Sequence, residues 1–213
     1  INPQSPSPYA SVQNACLNAK ISVQFNSAMT DGLLGADAIT LKQRGADQTS
    51  IALTFDQGIY YEVNGRSGLR GAVFRPDQNL QPNTWYEATL NNNLANVDGG
   101  LMVGSRTWQF KTQTDNELCQ FDQVLVNPGR AILGVDQSQN YIAQTLDSAS
   151  CQLLREQDNL RWSWRSANEA VATVGQSAVS QNSVLAKTLG ETKIRAQALG
   201  VENTGGNGTL NVT

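Results

Sequence analysis

The sequence predicts an all-β fold, two antiparallel β-sandwiches in tandem, and three observations carry that prediction. Short segments of alternating or β-branched residues recur about every 8–15 residues, Gly, Asn, Asp and Pro punctuate them, and no stretch shows a convincing helical period. Roughly fourteen such segments in 213 residues suit two domains of roughly 100 residues, each able to bury its own core.

Residues 1–8 hold three of the six prolines and read as an extended linker. A chain opening on Ile1, Asn2 and Pro3 reads as a processed product or an excised fragment. The first domain is expected over 9–113. In residues 20–25 the apolar Ile21, Val23 and Phe25 share one face, the period-two signature of a strand. Further strands are expected at 38–42, 50–55, 59–63, 71–75, 84–90 and 107–111. Residues 91–104 form the one long irregular connection, with Asp98-Gly99-Gly100 arguing for a turn. A polar stretch marks the boundary, with a short linker at 114–118. The second domain, 119–213, continues with strands at 121–126, 141–146, 160–164, 170–174, 183–187, 193–199 and 209–212, and a hairpin loop at Gly205-Gly-Asn-Gly208.

Composition narrows the chemistry. The chain has no histidine, which removes Ser-His and Cys-His nucleophile pairs and histidine-metal sites. Charged residues make up 15%, whereas Asn and Gln together fill 40 positions, so the surface is amide-rich and weakly charged. The net charge of -3 is spread evenly, and no basic stripe offers itself to nucleic acid or an anionic membrane. Apolar runs are too short to span a bilayer. Asp56, Glu62, Asp77 and Glu87 lie on or beside different strands and give no paired carboxylates for glycoside hydrolysis.

Two sets of motifs carry a family resemblance. Phe25-Asn-Ser-Ala-Met29, Val73-Phe-Arg-Pro76, Leu80-Gln-Pro82, Thr84-Trp-Tyr86, Asp98-Gly99 and Trp108-Gln-Phe-Lys-Thr112 make most of residues 10–112 resemble the bacterial Ig-like domains of surface-layer and cell-wall-associated proteins. The Asp98-Gly-Gly100 loop departs from that family's usual spacing. Val124-Leu-Val-Asn-Pro128, Trp162-Ser-Trp164, Val171-Ala-Thr-Val174 and Gly190-Glu-Thr-Lys-Ile-Arg-Ala196 make the second half resemble the Ig-like group of invasin- and intimin-like adhesins. The resemblance implies an exported, extracellular or cell-surface bacterial protein. In such proteins these modules are spacers, stalks or adhesive units whose partners are neighbouring domains of the same polypeptide. It transfers no catalytic residue and no cofactor. The alternatives are a module that binds carbohydrate or protein, and accessory domains of a larger secreted enzyme.

Three cysteines fit an exported, disulfide-bonded chain. Cys119 opens the second domain and Cys151 follows its second strand, so Cys119–Cys151 is the preferred bridge. Cys16, at a first-to-second-strand turn, makes Cys16–Cys119 the alternative, one that would fix the angle between the domains. Trp162 and Trp164 share a strand face, and one of them is the expected core Trp. Tyr60-Tyr61 and Trp85-Tyr86 each point to opposite faces, so Tyr60, Tyr61 and Trp85 are the candidates for a ligand-facing aromatic that stacks on a sugar ring, with core packing or strand cover as the plainer role. Asp31, Asp37 and Asp98, in Gly-rich loops, are weak calcium candidates. Asp also favours turns for its own backbone bonding. Asn207-Gly-Thr209 and Asn211-Val-Thr213 match a glycosylation triplet that bacterial proteins usually leave unused.

Overall fold

Alternation in the first half sorts its strands into two sheets. The computed structural model describes residues 3–35, 37–45, 48–63, 66–147, 152–155 and 160–213. One sheet runs in the order β1 (Pro3–Ser7), β2 (Ile21–Phe25), β6 (Arg66–Pro76) and β5 (Leu53–Val63). The other runs in the order β4 (Ser50–Ile51), β3 (Ile39–Gln43), β7 (Trp85–Leu90) and β8 (Arg106–Lys111). This is the division of strands found in immunoglobulin sandwiches. Ile21, Val23, Phe25 and Phe74 from the first sheet and Ile39, Leu41, Tyr86, Ala88, Leu90 and Phe110 from the second share one buried core. Tyr86 stacks on Phe110 with ring centroids 5.7 Å apart, and its hydroxyl accepts the Gln81 N–H at 2.8 Å. An early-strand tyrosine tied to backbone just upstream fixes this corner of the sandwich. Gly71 lets β6 approach β2, because a Cβ there would sit 2.4 Å from the Val23 carbonyl.

The expected N-terminal linker is instead partly a strand. Pro3–Ser7 pairs antiparallel with β2, at the sheet edge where a proline's missing N–H costs no ladder bond. The chain then changes sheets. Ser11 N–H donates to Gln109 C=O at 2.7 Å, Lys111 N–H to Val12 C=O at 2.8 Å, Ala15 N–H to Lys111 C=O at 2.9 Å and Gln113 N–H to Ala15 C=O at 2.9 Å. Residues 11–15 therefore run parallel to β8, as the parallel bridge Ala15↔Thr112 shows.

The chain divides into two units that interleave in sequence. The first takes Ile1–Tyr60, Gly68–Gln120 and Ala149–Arg155, and the second takes Tyr61–Ser67, Phe121–Ser148 and Glu156–Thr213. A single boundary at 114–118 misses these exchanged segments. In the first unit β12 (Gln152–Leu153) and its neighbours extend the turn before β2. Lys20 N–H donates to Leu153 C=O at 2.8 Å, Arg155 N–H to Asn18 C=O at 2.6 Å, and Ala19 bridges Leu154. Beneath this turn Lys20, with a side chain only 3% exposed, holds Asp56 at 2.9 Å.

The second unit has the same plan. On one sheet β11 (Ser138–Asp147) lies between β9 (Gln123–Asn127) and β15 (Gln181–Ala186), with β14 (Ala172–Val174) beyond β15. The other runs in the order β10 (Arg130–Leu133), β18 (Thr209–Val212), β16 (Gly190–Ala198) and β13 (Trp162–Ser166), with the short β17 (Val201–Glu202) also on β16. Trp162 is the core tryptophan, packed with Val126, Tyr141, Ala143, Val184, Ile194 and Leu210. Trp164, on the same strand face, is half-buried and donates its ring N–H to Val179 C=O at 3.0 Å. Here too the first strand splits. β9 pairs antiparallel with β11, Pro128 and Gly129 break the ladder, and β10 pairs parallel with β18. The fold is all-β and dominated by antiparallel pairing, with a parallel closing contact in each unit.

Candidate functional site

Strand alternation on β7 buries Tyr86, Ala88 and Leu90 and turns Trp85, Glu87 and Thr89 outward. Register sets their neighbours. Lys42 of β3 stands opposite Glu87, Gln109 of β8 lies on the other side of Glu87, and Lys111 lies opposite Trp85. Arg44 donates to the Gln109 side-chain oxygen at 2.8 Å, and the Gln109 amide donates to a Glu87 carboxylate oxygen at 2.8 Å. At the Trp85 end the sheet forms a cleft of about 450 Å³ lined by Lys42, Gln43, Arg44, Gln48, Trp85 and Glu87.

A half-buried indole beside two cations and two amides offers a stacking surface with polar donors at its rim. Among the described residues the lining holds no second carboxylate to work with Glu87, and Glu87 is already engaged by an amide. Asp56 is held by Lys20, and Asp77 accepts the Thr54 hydroxyl at 2.6 Å. Glu62 has no described side chain.

The aromatic candidates separate. Trp85 faces the cleft. Tyr60 is 42% exposed on β5, a strand of the other sheet, and the Tyr61 side chain lies outside the description. The calcium candidates separate too. Asp31 begins a 3-10 turn over Asp31–Leu34, the Asp37 carbonyl accepts the Asn91 side-chain amide, and Asp98 sits in a turn organised by Asn96. Among the described residues no three carboxylates come within ligand-sharing distance of one another.

The disulfide expectation is corrected. Cys16 bonds to Cys119, the alternative pairing, so Cys119 has no sulfur left for Cys151, which itself lies outside the described residues. Both bridged cysteines belong to the first unit, so the bond closes that sandwich on itself. The physical reason is the sheet-changing first strand. Its parallel run beside β8 delivers Cys16 to the point where the chain leaves the sandwich. Asn18 fastens the same place, accepting the Cys119 N–H at 3.2 Å and donating to the Cys119 carbonyl at 3.1 Å, while Gln152 accepts the Cys16 N–H at 3.1 Å.

Sequence reasoning missed a second set of functional amides. Asn203, 1% exposed, accepts the Ala196 N–H at 2.7 Å and donates to the carbonyls of Ile194 at 3.1 Å and Asn207 at 2.9 Å. The Asn207 side chain bonds both backbone groups of Val126, at 2.6 and 3.0 Å, and latches β9 as a strand neighbour would. Its amide is thereby occupied within the glycosylation-like triplet. Gly208 is required beside them, with φ +81° and a Cβ position 2.3 Å from the Ile194 carbonyl.

Residues 4–112 match the family model described as bacterial Ig-like domain. A search of curated proteins finds no match. Among solved structures, the whole chain aligns with the N-terminal part of the bacterial S-layer protein SbsC at 14% identity and a TM-score of 0.37, covering 44% of that chain. It also aligns in full with domains 1–6 of surface layer protein SbsC at 13% identity and a TM-score of 0.40, covering 26% of that chain. A chimeric titin Z1Z2 tandem aligns over 99% of this chain and 98% of its own at 9% identity and a TM-score of 0.25. The chain thus spans less than half the length of either S-layer structure.

Proposed function

The chain belongs to the bacterial Ig-like domain family, and from that premise we propose that it is a non-catalytic structural module, a spacer or adhesive unit, of an exported cell-surface protein. The observation that carries this reading is the Cys16–Cys119 bridge, since such bonds form and persist outside the reducing cytosol. Two cores, backbone-saturated sheets and an amide-rich, weakly charged exterior supply stiffness and solubility without any reacting group. Its partners on this reading are neighbouring domains of the same polypeptide. Apart from Tyr61–Ser67, the second unit lies beyond the matched residues. Its assignment to the invasin- and intimin-type group rests on the sequence motifs that form β13, β14 and β16. The test is replacement in the parent protein by an unrelated Ig-like pair of equal length. Surface display and attachment should persist, and loss of attachment with display intact would exclude a spacer.

The Trp85 cleft favours a second reading, a saccharide-binding face in which a sugar ring stacks on the indole and hydroxyls meet Gln43, Arg44 and Gln48. On a glycan array, Trp85→Ala should abolish binding by the wild-type chain without lowering the melting temperature. An array silent towards the wild type removes this reading and leaves the structural one standing.

A further inference from the structure

The Cys16–Cys119 bond is a covalent shortcut around nearly the whole first unit, and we infer that it makes this unit a length-locked element whose residues 17–118 stay folded while the chain is under tension. Between the N-terminus and Cys16 two contacts resist a pull, the β1–β2 ladder and then the parallel contact between residues 11–15 and β8. A pull on the N-terminal side of residues 11–15 and on the C-terminal side of β8 slides the two strands past each other, so their four backbone hydrogen bonds, 2.7–2.9 Å long, are loaded together in shear. Once they break, residues before Cys16 peel away and load passes through sulfur to Cys119, bypassing residues 17–118. Those residues include all of β2 to β8, the Trp85 cleft and every buried member of the core but Ala15, and they stay folded under load.

The bond is placed to persist. Cys16 is fully buried and Cys119 half-buried, and Asn18 and Gln152 hold the backbone on both sides of the bridge, which leaves an attacking thiolate only the Cys119 side. The second unit closes with the same kind of parallel pair, β10 on β18, but the residues assigned to it include no cysteine. It therefore has no shortcut and is the part that lengthens. The lock is a consequence of connectivity, so its failure would leave the spacer role untouched.

Single-molecule stretching of the full chain, with handles at Ile1 and Thr213, tests the lock. The bridge spans 103 residues of sequence, so at about 3.4 Å per extended residue the oxidised chain should stop about 35 nm short of a Cys16→Ser/Cys119→Ser variant. Dithiothreitol supplies a second arm that does not depend on the variant folding. Its thiolate attacks one sulfur, its second thiol resolves the mixed disulfide, and two electrons and two protons pass to Cys16 and Cys119 as the reductant closes to a cyclic disulfide. The reduced wild-type chain should recover the same 35 nm. A shortfall of about 11 nm, the length a Cys119–Cys151 bridge would hide, or no shortfall at all, overturns the inference.

Discussion

The two units solve one problem in two ways. In each, the first strand starts on one sheet, crosses over, and ends parallel to the last strand of the other, leaving an edge contact that must be kept closed. The first unit closes it with a covalent bond, the Asn18 clasp and the added strand around Gln152–Leu153. The second uses side-chain amides, Asn207 latching β9 and Asn203 tying β16 to the loop before β18. The amide richness of the composition therefore has a structural share, since Asn presents the same donor and acceptor as a peptide group and substitutes for a missing strand neighbour. A bridge raises stability by restricting the unfolded chain, whereas amides act in the folded state alone, so the two units should respond to different changes.

The largest expected effect follows from breaking the covalent closure. Cys16→Ser/Cys119→Ser should cost the first unit about 4–5 kcal/mol, the chain-entropy value for a loop of this length, and leave the second unit unchanged. Peptide-resolved hydrogen exchange reads the units separately, and equal losses in both would erase the contrast. Next in size is Asn203→Ala, which strands the Ala196 N–H and the Ile194 carbonyl in a buried setting. It should cost about 2–3 kcal/mol in the second unit, with Asn207→Ala costing about half as much. Protection lost from β2 or β7 in either variant would show that the closures are not independent.

What could be read from sequence follows the range of the interactions. Alternation at Ile21, Val23 and Phe25, or at Tyr86, Ala88 and Leu90, names a strand and its buried face locally, and it also turned Trp85 outward. The neighbours of Trp85 depend on register between β3, β7 and β8, which no local pattern states. Pro3–Ser7 was hidden because prolines signal a linker everywhere except at a sheet edge. Gln152–Leu153 is too short to show any period, and its contacts with Cys16 and Lys20 span more than 130 residues of sequence. The bridge was misassigned because the choice between Cys16 and Cys151 turns on that unrecognised crossing of the first strand. Asn203 and Asn207 sit in a Gly-rich run where amides read as turn punctuation, and only their burial reveals the latch.

The smallest expected effect sharpens the same comparison at one buried tyrosine in each unit. Tyr86 hydrogen-bonds the Gln81 N–H, whereas the Tyr141 hydroxyl, equally buried, has no partner among the described residues. Burial raises the pKa of both above the ordinary phenol value; for Tyr86 the Gln81 bond offsets part of the rise, and for Tyr141 nothing does. A folded pKa above the unfolded one means that the native state holds its proton more tightly. The associated stability is fully present below about pH 10 and is lost as pH rises from there towards the folded pKa. With no histidine in the chain, stability should stay nearly flat from about pH 5 to 8 and then fall on the alkaline side, more steeply in the second unit. Tyr141→Phe removes both the titration and the unpartnered hydroxyl. It should stabilise the second unit by about 1 kcal/mol at neutral pH and flatten its alkaline limb. Denaturant unfolding at pH 7 and pH 10.5 checks this, and an alkaline limb equally steep in Tyr141→Phe would move the sensitivity to another group.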